Sequence, residues 1–106
     1  MWPFTDFTKL DIRIATVLEC RRVPETDKLL VMVVDLGSAK KQLVAGIGKK
    51  YQPEELIGHQ LPVVVNIEPT TIRGEKSEGI LMAVDTGSEP VLLRPEKKVP
   101  DGSQVR

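Results

Sequence analysis

Short runs of β-type residues alternate with turn chemistry along the whole chain. The first run spans about Asp11 to Arg21. Alternation at period two sets Ile12, Ile14, Thr16, Leu18 and Cys20 on one face and Arg13, Ala15, Val17 and Glu19 on the other. Pro24 with Glu25, Thr26 and Asp27 predicts a turn. The second run, Leu29 to Asp35, is apolar almost throughout, as in a strand buried on both faces. Gly37-Ser38 ends it, and a third run follows from Lys41 to Ile47. A short helix is predicted next: Pro53 suits its first position, Glu54 and Glu55 favour its positive end, and Gly58 stops it. The fourth run is Leu61 to Ile67, with Pro62 placed at its start, where a missing N–H does least harm. Glu68 to Glu78 reads as a polar loop and Gly79 to Asp85 as a fifth strand. Weaker strand signals follow at Val91 to Leu93 and Ser103 to Val105.

Three strands, a short helix and two more strands give an all-β class, a five-stranded OB-fold barrel. The 106 residues suit one domain over 1–106, with an apolar N-terminal segment at 1–9 and a C-terminal extension from about 88 to 106. No internal repeat, low-complexity stretch or linker interrupts it. No stretch approaches the roughly 18 apolar residues of a membrane span, and the N-terminus lacks the charge-then-apolar pattern of a secretory signal. No membrane association is expected. The single cysteine excludes an internal disulfide and suits a reducing compartment, so a cytoplasmic location is expected.

Fifteen Lys plus Arg balance fifteen Asp plus Glu, for a formal net charge of zero. Binding to nucleic acid would therefore rest on local clusters: Arg21-Arg22, Lys40-Lys41, Lys49-Lys50, and Arg94 with Lys97-Lys98. Of the four aromatic residues, Trp2, Phe4 and Phe7 stand in the first seven positions and only Tyr51 elsewhere. The strands thus lack the aromatic platforms that hold single-stranded nucleic acid. Recognition of shape and backbone in a folded RNA is the expected mode. The aromatic N-terminal cluster either caps the barrel or forms a partner interface.

No chemistry of catalysis is legible. Cys20 reads as core filler, with no second cysteine or base near it. His59 reads as a surface loop residue, and one histidine does not make a metal site. Gly46-Ile47-Gly48-Lys49 lacks the spacing of a phosphate loop. Glu54 and Glu55 diverge on a helix and are better explained by its first turn. No catalytic residue, metal or cofactor is expected.

From about Phe7 to Arg106 the chain resembles the tRNA-binding domain family, which includes the C-terminal dimerisation domain of methionyl-tRNA synthetases and stand-alone tRNA-binding proteins. The stretches that carry the resemblance are Leu10-Asp11-Ile12-Arg13-Ile14, Thr26-Asp27-Lys28-Leu29-Leu30, Val44-Ala45-Gly46-Ile47-Gly48 and Tyr51 to Gly58. The most specific is Asn66-Ile67-Glu68-Pro69 leading to Ile72-Arg73-Gly74-Glu75-Lys76-Ser77-Glu78-Gly79-Ile80-Leu81-Met82. One departure is Glu68, where many relatives carry a basic residue. It either weakens phosphate attraction at that edge or pairs with Arg73.

The resemblance implies a C-terminal pseudo-barrel extension, a homodimer and binding of tRNA without strong isoacceptor preference. The catalytic portion of a methionyl-tRNA synthetase is then a partner. Asn66, Arg73, Lys76, Ser77 and Glu78 are the expected tRNA contacts, with Lys28, and less strongly Lys40, Lys41 and Lys49, beside them. Met82 is expected in the core, and Asp11 with Arg13 as a structural pair. Trp2, Phe4, Phe7, Val91, Leu92, Leu93 and Val99 are the expected dimer interface. The alternative is a chaperone-like protein-interaction module, suggested by the zero net charge and the apolar N-terminus.

Overall fold

A computed structural model describes residues 1–106, and β1 (Ile12–Arg22) is the strand on which the barrel is built. Its first half pairs with β4 (Gln60–Val64) and its second half with β2 (Leu30–Asp35), which pairs in turn with β3 (Lys40–Ala45). α2 (Pro53–Leu56) joins β3 to β4, and β7 (Ile80–Leu81) pairs with the far edge of β4. The antiparallel order β3-β2-β1-β4-β7 gives a nearly closed five-stranded barrel, the class expected from the sequence.

The simple alternation expected of β1 fails at one place. A bulge between Val17 and Glu19 inserts an unpaired Leu18, and an inserted residue exchanges the two faces of a strand. Before the bulge Ala15 and Val17 point into the barrel; after the bulge Cys20, expected on the opposite face from them, does so as well, opposite Met32. Ile12 and Ile14 are also buried, but on the outer face, where the C-terminal segment crosses them. Leu18 is exposed.

The continuous apolar run of β2 has the expected two-sided burial. Leu30, Met32 and Val34 fill the interior with Leu43, Leu56, Leu61 and Val63. Val31 is buried on the opposite face, in register with Arg21 and Val44. Pro62 lies in the middle of β4 and not at its start. The Met82 N–H donates to the Pro62 carbonyl at 3.1 Å, and Pro62 has no N–H to return the bond. The ladder stops there, so the expected fifth strand divides into β7 and β8 (Ala83–Asp85), with a half-buried Met82 between them.

β8 forms a hairpin with β9 (Pro90–Leu92). The chain then returns along the free edge of β1. Ile14 N–H donates to the Ser103 carbonyl, Gly102 N–H to the Ile14 carbonyl and Val105 N–H to the Ile12 carbonyl, at 2.8–2.9 Å. Gln60 fixes this segment, its amide bonding both the N–H and the carbonyl of Val99. At the other terminus α1 (Phe4–Phe7) is a single short turn that buries no side chain. No helix is long and apolar enough to cross a membrane.

Candidate nucleic-acid interface

Residues 68–78, expected as a loop, contain a two-stranded hairpin, β5 (Thr70–Ile72) and β6 (Glu75–Ser77). Its turn is Arg73-Gly74, and both residues have positive φ, 52° and 80°. That backbone favours an X–Gly pair, commonly with Asn or Asp first. Arg at the first position carries no such signal, which is why the hairpin is not legible in the sequence. The turn leaves the Arg73 side chain exposed at the tip, in none of the five ion pairs of the molecule.

The hairpin is held across the outer face of β1 and β3. Arg21 Nη2 donates to Glu75 Oε1 at 2.9 Å, and Gln42 Nε2 donates to the Lys76 carbonyl at 2.9 Å. At its base Ser77 is 3% exposed. Its hydroxyl accepts from Val44 N–H and donates to the Gly79 carbonyl, both at 3.0 Å. Glu78 accepts from Gln42 N–H through Oε1 while its own N–H donates to the Gln42 carbonyl. These bonds satisfy the otherwise free edge of β3 and nearly close the barrel. Gly79 permits the approach: a Cβ there would lie 2.9 Å from both Leu43 Cδ2 and the Val64 carbonyl oxygen.

The residues singled out in the sequence therefore divide by position. Arg73 and Lys76 present exposed cationic heads, Lys76 with Glu78 at 4.0 Å. Ser77 and Glu78 hold the hairpin to β3. Asn66 ties the N-terminal segment to β4, its Oδ1 accepting from Asp11 N–H at 2.8 Å and its Nδ2 donating to the Lys9 carbonyl at 2.7 Å. Glu68 is exposed and makes no ion pair with Arg73. Lys40 and Lys41 stand at the start of β3; Lys28 packs on Gly46, just past its end, near Lys49. A strand of that length separates the two groups by roughly 17 Å, so they flank the hairpin and do not merge with it. Gln42 is a positioning residue that the sequence does not reveal, and Arg21 and Arg22, expected as a basic cluster, are positioning residues as well. Arg22 Nη1 donates to the Asp27 and Gly48 carbonyls at 2.7 Å, stapling the loop before β2 to the loop after β3.

Other expectations can be placed as well. Asp11 and Arg13 form the structural pair, at 2.7 Å. Glu55 completes a capping box with Gln52 in α2. Cys20 packs against the core; burial pushes its thiol above the ordinary value, Arg22 opposing the shift and Glu54 adding to it. His59, expected on the surface, is half-buried, and its Nδ1 is enclosed without a partner. Trp2, Phe4 and Phe7 are 85%, 78% and 44% exposed. Val91 and Leu93 are exposed too, whereas Leu92 packs on the core with its N–H donating to Tyr51 Oη, and Val99 is half-buried against Gln60. Leu10, Ile80 and Val84 are further exposed apolar side chains.

Known proteins share both sequence and fold. Residues 12–104 match the family described as "Putative tRNA binding domain". A methionine–tRNA ligase of Methanothrix thermoacetophila is 51% identical over 104 residues, which is 98% of this chain and 15% of the ligase. The chain thus spans about one seventh of the length of that relative. A methionyl-tRNA-synthetase-related protein of Pyrococcus horikoshii has the same fold with a TM-score of 0.95, at 29% identity, over 100% of this chain and 98% of that one. The chaperone CsaA of Bacillus anthracis matches with a TM-score of 0.91 and 37% identity, over 100% and 99% of the two chains. With the family matched along nearly its whole length, on a barrel of the same architecture, this chain is a member of the tRNA-binding domain family.

Proposed function

We propose that this chain is a non-catalytic module that binds folded tRNA by shape and backbone, dimerises, and raises the tRNA affinity of a methionyl-tRNA synthetase in the cytoplasm. The observation that carries the reading is the β5–β6 hairpin. It presents Arg73 and Lys76 to solvent on a turn anchored by Arg21, Gln42, Ser77 and Glu78. Arg and Lys heads on a rigid mount suit phosphate contacts. The scarcity of aromatic side chains on the strands argues against stacking of an unpaired strand. Ser77 and Glu78 act mainly by holding this mount and Asn66 by tying the N-terminal segment to β4, with Lys28, Lys40 and Lys41 as flanking phosphate contacts.

The dimer uses the exposed Trp2, Phe4 and Phe7 with Val91, Leu92, Leu93 and Val99. Two RNA sites on one dimer gain effective concentration without new contacts. Sedimentation of a monomer at micromolar concentration would count against this part.

Filter binding of total tRNA at two salt concentrations tests the site. Binding should weaken with salt, and Arg73→Ala with Lys76→Ala should weaken it further with a salt slope shallower by up to roughly 2. Unchanged binding by the double variant would remove the hairpin from the interface. A chaperone-like role is the second reading, favoured by the likeness to CsaA and the exposed N-terminal aromatics. Suppression of aggregation that RNA does not compete away would support it.

A further inference from the structure

The start of β4 and the C-terminal segment enclose a polar recess of about 580 Å³. It lies beside Thr16 on β1, whereas the hairpin is fastened at Arg21, five residues further along the same strand. No Leu, Ile, Val, Met, Phe, Tyr or Trp lines it, so it offers neither an apolar pocket nor a stacking surface.

Its floor is internally satisfied. Gln60 is bonded on both sides of its amide to Val99, and Asp101 Oδ1 accepts from Thr16 Oγ1 and Gln60 Nε2. The remaining polar groups are not. His59 Nδ1 is enclosed and has no hydrogen-bond partner. Arg94, Lys97 and Lys98 enter none of the five ion pairs, although Glu96 stands among them in sequence. His59 lines the recess, so a group held there would alter the surroundings of its ring. Three cations against two carboxylates, Glu96 and Asp101, leave a net charge of one positive unit on the lining. That balance suits a single phosphate and not a long polyanion. A phosphate oxygen accepts hydrogen bonds from guanidinium, ammonium and imidazole N–H groups alike.

We infer that this recess is a second phosphate site, which takes one backbone phosphate of the RNA that the hairpin engages through Arg73 and Lys76. The inference rests on the RNA-binding reading above. The two anchor points on β1 are at most roughly 17 Å apart, a span that one folded RNA covers with several phosphates. His59 and Gln60 then form the inner wall, and Arg94, Lys97 and Lys98 the charged rim.

His59 is the only histidine, so its imidazole gives an unambiguous NMR signal. Nitrogen-15-labelled protein is titrated with total tRNA and, separately, with inorganic phosphate. The triple variant Arg94→Gln, Lys97→Gln, Lys98→Gln is titrated in parallel by filter binding. It should keep the thermal midpoint of the wild type, because none of the three side chains is ion-paired. The expected result is a tRNA-dependent shift of the His59 ring signals, absent in the triple variant, with a salt slope shallower by roughly 1. A shift with inorganic phosphate but none with tRNA would overturn the RNA assignment. No His59 shift and an unchanged slope, while Arg73→Ala with Lys76→Ala still weakens binding, would overturn the recess alone. Absence of wild-type tRNA binding at low salt would overturn both sites together.

Discussion

The barrel interior and the C-terminal segment on its outer wall are held in different ways. Leu30, Met32, Leu43, Leu56, Leu61 and Val63 fill the interior with fully buried apolar side chains. The C-terminal segment covers Ile12 and Ile14 but is aligned by polar groups: backbone bonds to β1, the Gln60 amide on Val99, and Asp101 on Thr16. Apolar burial is non-directional and tolerates small displacements. Hydrogen bonds require a fixed register. One strand serves both layers because alternation before its bulge sets Ala15 and Val17 inward and leaves Ile12, Ile14 and Thr16 for the segment outside.

The largest effect should come from the interior. Leu30→Ala is expected to cost about 2–5 kcal/mol through lost burial and the cavity left behind. Urea unfolding measures it, and a loss below about 1 kcal/mol would mean that the interior is less tightly packed than described.

Next comes the outer latch. Gly102 has φ of 87°, and a Cβ there would overlap the Leu36 carbonyl oxygen. Gly102→Ala is expected to cost about 1–3 kcal/mol by local strain. Amide exchange should accelerate at Ile14 and Val105 while Leu43 stays protected. Uniform acceleration would show that latch and barrel unfold as one unit and erase the distinction between them.

The smallest effect on stability belongs to the hairpin tip. Glycine relieves the left-handed backbone of residue 73 but gains freedom in the unfolded chain, and the two terms nearly cancel. Arg73→Gly should change stability by no more than about 0.5 kcal/mol. It should nevertheless weaken tRNA binding. A large loss of stability would give Arg73 a structural role in place of the proposed phosphate contact.

The site was legible in part. Arg73 and Lys76 stand out by charge beside a glycine, and the structure leaves both exposed. Asn66, Ser77 and Glu78 look the same in sequence, but their partners lie 33 to 57 residues away and bind them into the frame. The recess had only a hint in the run of Arg94, Lys97 and Lys98. His59 joins it because α2 and β4 bring residue 59 beneath that segment, and no local spacing encodes such a meeting.

Residue pattern alone determined the number and order of the main strands, the short helix after Pro53 and the two-sided burial of β2. These rest on local propensity and on alternation of apolar positions, which act over a few residues. Tertiary structure decided the bulge in β1, the break at Met82 opposite Pro62, the hairpin under Arg73 and the fastening of the C-terminal segment. Each depends on which backbone edges are left without a partner once the barrel forms, and that is a property of the assembled strands and not of any one of them.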